Sequence, residues 1–141
     1  MKVADILKSK GNFVYSLATN ASVYDALKMM AEKNVGALMV IEEEKLVGIF
    51  SERDYARKII LQGKASHDTQ VIEIMTKTVI TVGAEDSIEQ CMELMSKNKI
   101  RHLPVVNNDK VAGIISIGDV VMSIIQSQKE TITHLQNYIA Q

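Results

Sequence analysis

Two seven-residue stretches, Gly48-Ile49-Phe50-Ser51-Glu52-Arg53-Asp54 and Gly113-Ile114-Ile115-Ser116-Ile117-Gly118-Asp119, share one pattern: glycine, two apolar residues, serine, two variable residues, aspartate. A serine that ends a strand and opens a helix leaves several backbone N–H groups unpaired, and the helix dipole adds partial positive charge there. Such a place accepts phosphate. An aspartate three residues later, on the first helical turn, can accept two hydrogen bonds from vicinal hydroxyls, the way a carboxylate holds a ribose. Ser51 with Asp54, and Ser116 with Asp119, therefore suit a nucleoside phosphate. The same spacing is close to a capping box, which serves stability alone. Capping and binding are not exclusive, and recurrence of the pair at matching places after two strands favours binding.

Other chemistry is harder to assemble. His67, His102 and His134 have no zinc-ligand spacing with each other or with Cys91. The chain has no phosphate-loop lysine motif and no Gly-x-Gly-x-x-Gly. Glu42-Glu43-Glu44 reads as a solvated hairpin turn rather than as a metal site or paired catalytic carboxylates. With no nucleophile, base and orienting group in view, the chain is expected to be non-catalytic. The single Cys91 lies on an apolar helical stripe with Ile88, Met92 and Met95, where a buried inert thiol is expected.

The elements that position the two signatures come from an internal duplication. Residues 21–60 align with residues 86–125 without a gap: Ser22 meets Ser87, Met30 meets Met95, Val40 meets Val105, Gly48 meets Gly113, and Asp54 meets Asp119. Upstream, Val3-Ala4-Asp5-Ile6-Leu7 resembles Val71-Ile72-Glu73-Ile74-Met75 at a different offset, so the first copy holds three extra residues around Ser9-Lys10-Gly11. Val14-Tyr15-Ser16-Leu17 and Val79-Ile80-Thr81-Val82 read as first strands. Ser22 and Ser87 read as N-caps ahead of the helical stripes Val23, Ala26, Leu27, Met30 and Ile88, Cys91, Met92, Met95. A β-hairpin follows in each copy, turning at Glu42-Glu43-Glu44-Lys45 and at Asn107-Asn108-Asp109-Lys110, and Ser51 and Ser116 then open second helices. The expected division is a first repeat over 1–62, a polar linker over 63–70, a second repeat over 71–126 and a helical extension over 127–141. In that tail Ile125, Ile132, Leu135 and Ile139 have helical spacing and are expected to cover the partner half or a second chain. One copy alone buries too little surface for comfortable stability, so the copies are expected to share a core in one pseudo-two-fold α/β domain.

Composition is that of an ordinary globular protein, 47% hydrophobic and 23% charged over 141 residues. No apolar run approaches the ~20 residues of a membrane helix, and the opening residues lack a secretory pattern, so no membrane partner and a cytoplasmic location are expected. The net charge of −1 lacks the basic face that neutralises phosphate backbones, and no nucleic-acid partner is expected.

Through Gly-x-x-Ser-x-x-Asp in both copies, with Ser51-Glu52-Arg53-Asp54-Tyr55-Ala56-Arg57-Lys58, Ile100-Arg101-His102-Leu103-Pro104-Val105 and Ser116-Ile117-Gly118-Asp119-Val120-Val121, the chain resembles a tandem CBS (cystathionine β-synthase) domain pair. It is similar to the small stand-alone pairs of bacteria and plant mitochondria. The resemblance implies two β-α-β-β-α repeats, a regulatory module that binds adenine nucleotides in clefts between them, a homodimer, and a regulated partner on another chain. It also implies that adenine packs against the first strand of a repeat, making Thr78, Val79 and Ile80 candidates, with Val14 and Tyr15 in the first copy. Arg101-His102 in the second copy answers to Gly36-Ala37 in the first, and Arg53 answers to Gly118. Arg53, Lys58 and Arg101 are the cations expected to reach phosphate. His102 is a candidate contact, with a hydrogen-bonded strand-edge histidine as the alternative. The copies are thus expected to bind unequally, one taking AMP and the other a larger nucleotide such as NAD(H), ADP or ATP. A different class of function stays open, a ligand-independent dimerisation module driven by the tail.

Overall fold

The computed structural model describes residues 1–11 and 13–140; Asn12 and Gln141, the last residue of the expected helical extension, lie outside the described residues. Among the described residues, six helices and five strands follow the duplicated order: α1 (Val3–Lys10), β1 (Ser16–Leu17), α2 (Val23–Lys33), β2 (Ala37–Glu42), β3 (Lys45–Ser51), α3 (Glu52–Tyr55) running into a π-helical segment (Ala56–Ile60), α4 (Val71–Ile74), α5 (Ile88–Asn98), β4 (His102–Asn107), β5 (Lys110–Ser116) and α6 (Ile117–Ala140). The α/β class read from the repeat is the class observed.

Local chemistry explains most boundaries. The Ser22 hydroxyl accepts from the Asp25 N–H and opens α2; the Ser87 hydroxyl accepts from the Gln90 N–H, while Gln90 reaches back to the Ser87 N–H in a reciprocal capping box. Both helices bury one stripe, Val23, Ala26 and Met30 in α2 and Ile88, Cys91 and Met95 in α5. Both stop at a left-handed residue, Asn34 and Lys99. Each hairpin turns through two residues of positive φ, Glu43-Glu44 and Asn108-Asp109, the backbone of a tight turn whose twist matches that of its strands.

Two compact units result: Met1–Phe13 with Thr81–Asn107 and Ala112–Gln141, and Val14–Ile80 with Asn108–Val111. The second contains a three-stranded sheet in the order β1-β2-β3, with Leu17 beside Val40 in parallel and Leu38 beside Phe50 in antiparallel register. Its core joins Leu17, Val23, Met30, Leu38, Val40, Phe50, Ile59 and Ile74. The first contains β4 with residues 112–116 of β5, and buries Val3, Ile6, Leu7, Cys91, Met95, Leu103, Ile115 and Val120. The expected first strands are shorter than their sequence pattern: β1 keeps Ser16 and Leu17, and the second copy keeps one parallel bridge, Val82 beside Val105. The Val82 N–H donates to the Pro104 carbonyl and Val106 donates back to Val82. The next rung toward Ile80 would need an N–H on Pro104, which proline lacks.

Each unit takes its opening helix from the other sequence copy. α1 belongs with α5, β4, β5 and α6, whereas α4 belongs with β1, α2, β2 and β3. The glycines that open the signatures make room for this exchange. A Cβ at Gly113 would meet Leu7 Cδ2 of α1 at 2.8 Å, and one at Gly48 would collide with the Met75 side chain just after α4. Leu7 and Met75 are the same position of the repeat. The 63–70 segment is also built in: the Thr69 and Ser66 carbonyls accept from the Val23 and Tyr24 N–H groups at the start of α2, and His67 stacks on Tyr24 with centroids 4.0 Å apart.

Overpacking of a filled site costs about 1–3 kcal/mol. Gly113→Ala and Gly48→Ala are therefore expected to lower stability by about that amount in urea unfolding, with Gly83→Ala, where the added carbon meets only ordinary contacts, near neutral. Truncating Leu7 in the Gly113→Ala background should recover part of the loss, a coupling that independent sites would lack.

Candidate functional site

Both signatures close reciprocal capping boxes. In the unit built around β2 and β3, the Ser51 N–H donates to Asp54 Oδ2 at 3.0 Å and the Asp54 N–H donates to Ser51 Oγ at 3.3 Å. In the other unit the Ser116 N–H donates to Asp119 Oδ2 at 2.8 Å and the Asp119 N–H to Ser116 Oγ at 3.2 Å. The next amide in each is also engaged, Glu52 N–H on the Gly36 carbonyl and Ile117 N–H on the Arg101 carbonyl. The helix starts are thus largely self-satisfied, unlike the open row of N–H groups expected from the serine-to-helix transition.

The two aspartates, equivalent in sequence, differ in their surroundings. Asp54 is 5% exposed. Its Oδ1 accepts from Thr76 Oγ1 and pairs with Lys58 Nζ, each at 3.0 Å, and its Oδ2 accepts from the Ser51 N–H and Oγ. Lys58 also donates to the Ile74 carbonyl at 2.9 Å. Asp119 keeps a side chain 24% exposed, with Lys10 Nζ 2.7 Å from Oδ2. Among the described residues no hydrogen bond falls on Asp119 Oδ1. Burial alone would raise the Asp119 carboxyl, but the Lys10 hydrogen bond, the Ser116 N–H and the Lys10 charge outweigh it and hold the group below its ordinary value.

Asp119 also lines an open cavity of about 390 Å³, together with Met1, Asp5, Ile6, Ser9 and Lys10 on the α1 side and Met122, Ser123 and Gln126 on α6. That volume lies in the range of about 300–1,000 Å³ in which small-molecule sites fall. The unit with Asp54 has a cavity of about 420 Å³, but Leu27, Met30, Ala31, Asn34, Val35, Gly36 and Glu52 line it and Asp54 does not.

Of the residues singled out in the sequence, Ser51, Asp54 and Lys58 are joined by direct bonds, as are Ser116 and Asp119. Arg53 and Arg101 are exposed, and His102 is half-buried at the start of β4. Thr78 is exposed, and Val79 and Ile80 are half-buried outside any strand, so they are not strand core. Thr78, Val79 and Ile80 lie in the same unit as Ser51, Arg53, Asp54 and Lys58; Arg101, His102, Ser116 and Asp119 lie in the other. Sequence reasoning missed Thr76 and Lys10. The signal for Lys10 was the three-residue surplus around it; Thr76 had none, because its partner is 22 residues away. Cys91 is buried, and burial pushes its thiol up, away from the reactive thiolate.

A duplicated α/β fold with a Ser-x-x-Asp helix start in each copy defines the class of module. The family model of the CBS domain matches residues 3–61 and again 71–126. The chain belongs to the CBS-domain family, as a tandem pair. It is 42% identical over 146 residues to the mitochondrial CBS domain-containing protein CBSX3 of Arabidopsis thaliana, covering 97% of this chain and 71% of that one. It is 47% identical to a solved CBS-domain structure from Burkholderia ambifaria, with a TM-score of 0.87 and coverage of 91% and 96%. It is 30% identical to the CBS domain pair of protein MJ0100, solved in complex with 5′-methylthioadenosine and S-adenosyl-L-methionine, with a TM-score of 0.80 and coverage of 90% and 98%. No helix among the described residues is long and apolar enough to cross a membrane.

The depressed Asp119 carboxyl has a pH signature. A group held below its unfolded value, about 3.9 for aspartate, contributes stability that is fully present above about pH 4 and is lost as pH falls through the folded value. The stability gap between the parent and Asp119→Asn is expected to narrow below pH 4 in urea unfolding followed from pH 6 to pH 2.5. A gap unchanged over that range would mean that the Lys10 pairing contributes nothing.

Proposed function

We propose that this CBS pair is a non-catalytic regulatory module that binds an adenine nucleotide, AMP, ADP, ATP or NAD(H), and passes the binding event to a partner protein. The observation that carries the reading is the Asp119 carboxylate: it borders a cavity of ligand size and retains an oxygen with no hydrogen bond among the described residues. A ribose diol is a natural donor for that oxygen, with Ser116 orienting the carboxylate from behind. The MJ0100 relative, which carries two adenosine-containing ligands, supports an adenosyl compound as the class. At Asp54 a ribose would have to displace Thr76 or Lys58, so Ser51, Arg53, Asp54 and Lys58 form the weaker of two unequal sites. Arg101 and His102, and the half-buried Val79 and Ile80 with Thr78, are our candidates for phosphate and base contacts.

Transmission needs an element that meets both ligand and partner. α6 is suited to it: Met122, Ser123 and Gln126 border the Asp119 cavity, and the same helix runs on to Ala140 with Ile125, Ile132, Leu135 and Ile139 between 39% and 81% exposed. Ile125, Ile132 and Ile139 are spaced by sevens, with Val121 four residues before the first and Leu135 between the last two, the apolar seam of a helix that pairs with another. A homodimer through this seam is part of the proposal, and it is also the observation that favours the second reading, a dimerisation module without a ligand.

Thermal unfolding separates the two. A ligand at about 100 times its Kd adds roughly 2.7 kcal/mol, several degrees for a domain of this size. AMP or NAD is expected to raise the midpoint of the parent, 2′-deoxy analogues to raise it less, Asp119→Ala to abolish the response and Asp54→Ala to retain most of it. No response to any adenine nucleotide at millimolar concentration, in protein stripped of copurified ligand, would leave the dimerisation reading. For the dimer, light scattering at micromolar protein should give twice the chain mass for the parent and a monomer for Ile132→Asp/Leu135→Asp; a monomeric parent would dismiss the seam.

A further inference from the structure

Lys10 falls in the three-residue surplus around Ser9-Lys10-Gly11, where the duplication loses its register. The surplus lengthens the opening helix: α1 has eight residues where α4 has four. The added turn carries Lys10 to Asp119, where its Nζ lies 2.7 Å from Oδ2 and donates to the Ile114 carbonyl at 2.8 Å. In the other unit the cation on the equivalent Asp54 comes from within its own helical run, Lys58. The position equivalent to Lys58 is Ser123, a small residue that lines the Asp119 cavity. The cation has therefore moved from the signature helix to α1, and the space that a lysine at 123 would fill stays open.

Resting on the reading of the Asp119 cavity as a nucleotide site, we propose that Lys10 sets its ligand class, selecting adenine nucleotides with an anionic 5′ group over neutral or cationic adenosyl compounds. Lys10 is 36% exposed at its side chain and borders the cavity, and two of its three ammonium donors are committed. Ribose hydroxyls on the unengaged Oδ1 draw on the same carboxylate charge that Lys10 holds at Oδ2, so any nucleoside weakens that ion pair. A neutral nucleoside leaves the ammonium with the weakened partner alone. A phosphate adds a second anion for it. Asp5, the other carboxylate on the cavity wall, is held by the Lys2 N–H at the far end of α1 and does not pair with Lys10.

Removing the charge should therefore act in opposite directions on the two kinds of ligand. Calorimetric titration of the full chain with AMP and with adenosine is the test, on the parent, Lys10→Met, Lys10→Arg and Asp119→Ala. Lys10→Met is expected to weaken AMP about tenfold or more, the scale of one charge-assisted hydrogen bond, and to leave adenosine unchanged or tighter. Lys10→Arg should keep the preference for AMP, which separates a charge role from a loss of fold. Equal changes for both ligands in Lys10→Met, or AMP binding untouched by it, would overturn the inference while leaving the cavity reading intact. Absence of both ligands from the parent at millimolar concentration, or AMP binding that survives Asp119→Ala, would overturn the cavity reading and the inference together.

Discussion

The close approach of a side chain in or just after the opening helix to a strand glycine is the constraint on which the remainder of this fold depends. Leu7 rests where a Cβ of Gly113 would stand, and Met75 does the same at Gly48. Each glycine begins a signature, so the contact that seats the opening helix lies three residues before the signature serine and on the same strand. The glycines are required by the helix above them and not by their own backbone, since neither has a positive φ. Because the two opening helices are exchanged, each signature is completed by a residue from the other sequence copy: Thr76 joins Asp54 and Lys10 joins Asp119.

That exchange turns two equivalent motifs into two different environments. Capping is common to both, and it explains why serine and aspartate suit both places even without a ligand. What differs is the remaining valence. At Asp54 four donors on two oxygens leave nothing for an incoming hydroxyl, and burial makes any unpaired state costly. At Asp119 the donors crowd one oxygen, and the residue lines an open cavity. Duplication followed by a three-residue difference in one helix is enough to separate a carboxylate bonded at both oxygens from one with an oxygen unengaged among the described residues.

What could be read in the sequence follows the range of the interactions. Ser22, Ser87, both hairpin turns and the apolar stripes of α2 and α5 act over a few residues, and the pattern displays them directly. The Ser-x-x-Asp boxes were legible for the same reason. Val79 and Ile80 fall outside the expected strand because its ladder depends on Pro104, whose missing N–H matters only once the strands are paired. The helix amides expected to be open are closed by the Gly36 and Arg101 carbonyls, which stand one residue before β2 and β4 and come within reach only once each hairpin forms. Thr76 and Lys10 are partners at 22 and 109 residues of separation, and no local pattern announces them. The shift in offset between Leu7 and Gly48 on one side, and Met75 and Gly113 on the other, was the one visible trace of a different arrangement at that helix.

A crystal structure of the protein with AMP tests the central claim most directly, because it locates the ribose. The account predicts ribose hydroxyls within hydrogen-bond distance of Asp119, with Asp54 still held by Ser51, Thr76 and Lys58. AMP seated on Asp54, with the Lys10–Asp119 pair intact and its cavity empty, would contradict it.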